Sequence, residues 1–392
     1  MFKIRLLAVA AASALAASAM AADVQVYGLV DYGFQYENVD QGSEKFESHS
    51  FSMKSGINSG SRFGLKGGED LGDGVKFGFV LESGFTADDG ALDNGGRLFG
   101  REANLFVTSD YGTLSFGRVG TLMSANGTYG LMNRFSVFSG GWGSHIGGKN
   151  FHVSDWGRLD NTVTYASPEL AGLKFYAQYS FQPDTKESHG GNVKAQEGKS
   201  TADRQISIAL TYGIGNLELI GIAQTNKWSN LPRGTGTAID WREKKDGYNF
   251  LVGATYDFGV AKVYATGEYD HHMRIKASDN TTLKGLGGSF SDFNMATGYV
   301  DGHAVTLGTD VPAFGGTFKA DLGYRYAECV VNGKNDYTET SLAVGYVYDL
   351  SKRTSVYAGG AYTEAELGKI HSRADTDDLK AYEVVAGMVH RF

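Results

Sequence analysis

The sequence predicts an all-β chain: a sixteen-stranded antiparallel barrel that crosses a membrane. Three observations predict it: an export signal, strand-like segments of period two that recur to the last residue, and short turns alternating with long polar connections. The signal comes first. Lys3 and Arg5 give a basic start, Leu6 to Ala17 an apolar run, and Ala19-Met20-Ala21 a small-residue cleavage site. Residues 1–21 are expected to be removed, leaving 22–392 as one barrel. A membrane anchor would need a span of ~20 apolar residues.

Composition fits. The chain carries 55 Gly, 22 Tyr and 23 Phe but 4 Pro, and its lone Cys329 excludes an internal disulfide framework. Past Ala22 no apolar run is long enough for a membrane helix. A net charge of −8 argues against nucleic acid as a partner and is explained by acidic external loops.

The first mature strand sets the pattern. In Val24–Tyr36 the even positions are Val24, Val26, Gly28, Val30, Tyr32, Phe34 and Tyr36, while the odd ones include Gln25, Asp31, Gly33 and Gln35. One face suits lipid and the other water. A soluble sandwich would show the same alternation with the apolar face turned inward, so export and length decide between them. Leu173–Phe181, Arg204–Tyr212 and Phe318–Tyr326 sort in the same way, with Lys174, Gln178, Gln205, Lys319, Asp321 and Arg325 on polar faces. Leu217–Gln224 does not sort.

Seven short turns, over 68–74, 109–112, 167–172, 213–216, 257–259, 312–316 and 349–353, use Gly, Pro, Asp, Asn or Ser as turn geometry demands. They join fourteen strands in pairs, and the first and last strands make sixteen. Eight longer connections cover 37–49, 86–96, 119–157, 182–203, 226–247, 271–301, 331–336 and 364–380. The last strand, Tyr382–Phe392, must pair with the first, because a closed barrel has no free edge.

The third connection, Val119 to Gly157, stands apart. It has no lasting period and carries Tyr129, Phe135, Phe138, Trp142, Phe151 and Trp156. A structureless stretch this long inside a compact domain is usually functional. Sixteen strands leave an aqueous lumen, and the stretch is expected to fold into it and narrow the channel. Phe135, Phe138 and Trp142 are expected to anchor it to the wall.

Five stretches then carry a resemblance: Gly60–Gly74 with Leu81–Phe85, Tyr111–Arg118, Asn161–Pro168, Leu350–Tyr357, and the ending Gly387–Phe392. In this order they resemble the trimeric general porins of Gram-negative outer membranes, of the β-proteobacterial and neisserial type. The resemblance implies a homotrimer in outer-membrane lipid and lipopolysaccharide. It also implies passive diffusion of small hydrophilic solutes and ions, with no cofactor or bound metal. Phe392 would be read by the barrel-assembly machinery.

Such porins set acids on the inward loop against arginines on the facing wall. Arg62 shares parity with Lys66, opposite Phe63 and Leu65, and Arg158 with Asp160, Thr162 and Thr164, so Arg62, Lys66 and Arg158 are expected on the lumen wall. Arg101 matches a family wall arginine, but its parity neighbours Ala103 and Leu105 are apolar, which leaves its facing open. The loop half departs from the pattern: its one acid is Asp155, beside the bases Arg134 and Lys149. An anion-leaning eyelet is expected. Arg118 shares parity with Leu114 and Phe116 and is expected to point outward, at the rim or in a subunit interface. There Asp88, Asp89 or Asp93 of a neighbour would pair with it.

Three rival functions stay open at this point. A barrel enzyme would draw on Asp270-His271-His272 with Asp301 and His303, or on His371-Ser372, but these lack a nucleophile with an orienting partner. An adhesion barrel would have no open channel. A solute-specific channel would share the architecture.

Overall fold

The computed structural model describes residues 24–40, 48–147, 151, 157–186, 195–231, 246–273, 299–330, 336–367 and 378–392. The export segment, Lys149, Asp155 and Trp156 lie outside them. The strands are β1 (Gln25–Asp40), β2 (Ser48–Ser55), β3 (Arg62–Gly72), β4 (Val75–Gly84), β5 (Glu102–Ser109), β6 (Gly112–Gly120), β7 (Arg158–Ala166), β8 (Leu173–Ser180) and β9 (Arg204–Ile214). They continue as β10 (Leu217–Lys227), β11 (Gly247–Asp257), β12 (Lys262–Met273), β13 (Val300–Ala313), β14 (Gly316–Cys329), β15 (Asp336–Asp349), β16 (Thr354–Leu367) and β17 (Asp378–Arg391).

All of them pair antiparallel, and β17 returns to β1 from Leu29↔Arg391 to Asp40↔Lys380. The seventeen segments fill sixteen positions around the ring, because β2 and β3 share one. β2 lies along Tyr32–Val39 of β1 and β3 along Gln25–Leu29. At the break between them Asp31 supplies the bonds that the ladder lacks. Its carboxylate accepts the Asn58 and Ser59 N–H groups at 2.7 and 2.6 Å and the Tyr357 hydroxyl at 2.7 Å. Its backbone carbonyl accepts the Gly56 N–H at 2.9 Å.

Ring closure extends to the last residue. Gly28 and Phe392 exchange both backbone hydrogen bonds, at 3.1 and 3.0 Å. The Phe392 ring covers Gly28, where a Cβ would lie 2.4 Å from the ring and 2.5 Å from the Arg62 carbonyl oxygen.

The two faces of the wall settle the ambiguity of the alternation. Val26, Phe34, Leu105, Phe116, Phe250, Val252, Leu307, Leu322, Leu342 and Val384 are exposed on the outer face. Asp31, Gln35, Glu82, Asn104, Gln178, Gln224, Arg325, Glu339 and Glu383 are buried on the inner one. That inversion of a soluble core requires lipid outside and water within. Among the described residues no helix is long and apolar enough to cross a membrane; the crossing is made by strands.

Among the described residues, two clusters of buried apolar side chains join the stretch after β6 to the inner wall. Val119, Leu122, Met123, Tyr129, Leu131, Met132 and Phe135 cluster with Ala166, Tyr176, Ala209, Ile220, Ile222 and Leu251. Val137, Phe138, Trp142 and Ile146 cluster with Leu29, Ile57, Tyr264, Ala343, Tyr357, Val385 and Val389.

Candidate pore-lining site

On the inner face of β3 to β7 a group of arginines gathers about Glu82. Register aligns Gln25 with Lys66, Tyr27 with Gly64, and Gly64 with Glu82, so alternation turns these side chains to one side of the sheet. Arg101 Nε donates to Glu82 Oε1 at 2.6 Å, Arg62 Nη1 lies 3.8 Å from the same oxygen, and the Tyr27 hydroxyl donates to Oε2 at 3.0 Å. Lys66 Nζ stands over the Tyr27 ring, 5.2 Å from its centre. Arg158 extends the group: its Nη1 donates to Asn94 at 3.2 Å and its Nη2 to Asn126 at 3.0 Å. Charge-assisted hydrogen bonds of this kind fix side-chain orientation as well as contributing energy.

The stretch after β6 is held by side chains of the inner wall. Glu102 on β5 accepts the Thr128 N–H at 3.0 Å and its hydroxyl at 2.6 Å. Gln178 on β8 accepts the Leu122 N–H at 3.3 Å. Lys319 on β14 donates to the Val137 carbonyl at 3.0 Å while paired with Asp310 at 2.9 Å. Glu383 on β17 accepts the Ser144 and His145 N–H groups at 2.7 and 2.6 Å and also bonds to Gln35. His145 Nε2 lies 3.0 Å from Glu37. Arg325 on β14 donates to the Phe151 carbonyl at 3.0 Å and to Asp270 at 2.7 Å, in a pair whose side chains are both 0% exposed.

Glycine lets side chains of this stretch lie close against the wall. A Cβ at Gly308, Gly323 or Gly345 would stand 2.3 Å from Val137, 2.3 Å from the Phe151 ring, or 2.8 Å from Phe138 and 2.9 Å from Trp142, respectively. Three neighbouring strands, β13, β14 and β15, therefore offer a bare track. Trp142 also packs edge-on to Phe138 and against Tyr357, with ring centres 5.0 and 5.3 Å apart.

Several residues sit where alternation alone does not put them. Arg101 precedes β5 and so escapes its parity; it turns to Glu82 rather than following Ala103 and Leu105. Arg118 pairs within its own chain, to Asp160 at 2.5 Å and to the Gly100 carbonyl at 2.7 Å. Asp160 reaches it because the ladder shifts between Gly117 and Val119 and Asn161 takes φ +50, a bulge that re-aims the neighbouring side chains. Arg97 joins Asp160 at 3.1 Å and Asp184 at 2.7 Å. Asp89 and Asp93 bond within their own loop, to the Ala91 and Asn94 N–H groups. Arg134 is exposed at the end of a single 3-10 turn, Leu131–Arg134, above the Phe135 ring. Sequence reasoning did not name Glu82, Glu102, Arg97, Glu383 or the Arg325–Asp270 pair as site residues. The parity of Glu82 against Leu81, and of Glu383 against Val384, carried that signal.

A closed β-barrel that is apolar outside and polar within defines an integral membrane protein of the outer-membrane barrel class. The chain belongs to the Gram-negative porin family, which it matches over residues 7–367. Members of that family are non-enzymatic channels, and the chain is an outer-membrane porin. It is 31% identical to an outer membrane porin protein of Bordetella pertussis, with 99% of each chain aligned. It is 27% identical to outer membrane porin protein 32 of Delftia acidovorans, over 98% of this chain and 94% of that one. The major outer membrane protein P.IB of Neisseria gonorrhoeae is 24% identical, over 94% of this chain and 96% of that one. Among solved structures, the anion-selective porin from Comamonas acidovorans superposes with a TM-score of 0.65 at 22% identity, covering 95% of this chain and all of that one. A trimer form of OmpT from Vibrio cholerae gives 0.60 at 16% identity, with 95% of this chain and all of that one covered.

Proposed function

We propose that this porin passes small hydrophilic solutes and ions by passive diffusion, through an eyelet formed where residues 119–157 fold into the barrel, and that the eyelet favours anions. One observation carries the reading. The same stretch is bonded to side chains from separate arcs of a closed ring, Glu102 and Gln178 on one and Lys319 and Glu383 on another. A segment tied to both arcs crosses the lumen. The anion preference rests on Arg62, Lys66, Arg101 and Arg158 gathered on one part of the wall around Glu82, with Arg134 exposed on the loop. Charges lining a narrow, low-dielectric passage focus the field and concentrate counter-ions. The Comamonas porin, which shares this fold and is anion-selective, points the same way.

The chain assembles as a homotrimer after its signal peptide is removed, in contact with lipopolysaccharide, and the barrel-assembly machinery reads Phe392. Arg118, next to the bulge at Asn161, is held ready for a subunit contact by its own Asp160. The reversal potential of the trimer in a planar bilayer under a salt gradient tests the selectivity. Chloride preference is expected, and Arg62→Glu should move the potential toward cations. Cation preference in the unmodified protein would overturn the anion reading.

A further inference from the structure

The ends of β12 and β13 carry a group of residues that the channel does not use. His271 Nδ1 lies 3.1 Å from Asp301 Oδ2, and His272 Nδ1 lies 3.3 Å from Asp301 Oδ1. The ligand atoms of the three residues fall within 4.8 Å of one another. Successive residues of a strand ordinarily face opposite ways. Here both imidazoles reach one carboxylate because the ladder is irregular between Asp270 and Met273, and His272 takes φ +51.

That unusual backbone is fixed from several sides, as a conformation of this kind must be to persist. The His272 N–H donates to Asp301 Oδ1 at 2.7 Å, and Trp228 Nε1 donates to the His272 carbonyl at 3.3 Å. Gly247 passes so close that a Cβ there would stand 2.4 Å from the His272 carbonyl oxygen. The His271 ring packs on Tyr248, with centres 4.7 Å apart.

We propose that His271, His272 and Asp301 form a binding site for a divalent transition-metal ion of the zinc type, at the mouth of the barrel where the long connections lie. Two imidazoles and a carboxylate are a donor set that suits zinc and its neighbours rather than calcium or magnesium. Metal–ligand bonds of ~2.0–2.1 Å at tetrahedral angles place adjacent donor atoms ~3.3 Å apart, close to the 3.1 and 3.3 Å at which the two imidazoles approach the two oxygens of the Asp301 carboxylate. The wider spacing between the donors closes by rotation of the half-buried His271 ring. The Asp301 side chain is 40% exposed, so solvent reaches the carboxylate. The ion would clip the end of β12 to the start of β13.

The full-length porin, refolded in detergent and stripped with a chelator, would be titrated with zinc chloride by calorimetry, with cobalt as a spectroscopic substitute. One ion per chain is expected, with visible cobalt bands of a four-coordinate nitrogen–oxygen site. Asp301→Asn and His271→Ala should each weaken binding by ~10–100-fold or more. His390→Ala should leave it unchanged, since His390 sits on Thr354 beside a short turn at the other end of the barrel. The chain has 9 His, so loss of binding in the His271 and Asp301 variants is what places the ion at the proposed site. Absence of stoichiometric binding, or equal binding by the Asp301→Asn variant in its folded, heat-modifiable form, would reduce the group to hydrogen-bonded imidazoles and overturn the proposal.

Discussion

Arg325 is buried with Asp270 on the inner wall of a water-filled barrel, and that placement needs a cause. One cause is the Phe151 carbonyl, which takes the second guanidinium arm. Removing one member of a buried ion pair leaves the other uncompensated, at a cost of ~3–5 kcal/mol, whereas replacing both with apolar residues is often neutral. Arg325→Met is therefore expected to lower the unfolding free energy of the barrel, read from denaturant titration, by that margin, and Arg325→Met with Asp270→Leu to recover part of it, since buried Glu268 also bonds to Asp270. Equal losses in the single and double variants would contradict this account. At this scale the sequence was legible in part. The parity of Arg325 placed it on the inner face, but nothing near it in the chain announced Asp270, which is brought alongside only by strand pairing. Arg101 was harder still, because it stands just outside a strand, where alternation gives no direction.

Strand β10 shows what an element can hide. Leu217–Gln224 failed to sort because its inner positions are apolar: Ile220 and Ile222 are buried with Leu122, Met123 and Tyr129, while Leu219 faces outward. An inner wall is polar only where water touches it. Where another segment lies on it, the alternation becomes apolar on both faces and the period of two disappears from hydropathy. Ile222→Ala is expected to destabilise the barrel by ~2–5 kcal/mol, the cost of a cavity in a packed core. A wall position washed by the lumen would change stability by less than ~0.5 kcal/mol. Urea or thermal unfolding of the two proteins distinguishes these outcomes. The Val119–Gly157 stretch itself was legible as exceptional from its length, aromatic content and lack of period. Its seats were not, since they are side chains from strands far away in sequence.

For the whole molecule the decisive event is closure of the ring, which pairs the first described strand with the last. Contacts this distant in sequence form slowly, and Gly28 lies at the seam beneath Phe392 and the Arg62 carbonyl. Gly28→Ala is expected to reduce the yield of folded, heat-modifiable barrel on gels, because its methyl group meets a backbone atom that cannot turn aside. Unchanged folding yield would show that the seam has slack. Closure and strand number were readable from alternation and turn spacing, since each follows from local chemistry repeated sixteen times, while facing was readable only on the strands that sort. The track at Gly308, Gly323 and Gly345 has a further consequence. Each lacks a side chain where one methyl group would lift the segment lying on it. If that segment forms the proposed eyelet, exchanging these glycines for alanine, singly and together, offers a graded adjustment of its aperture.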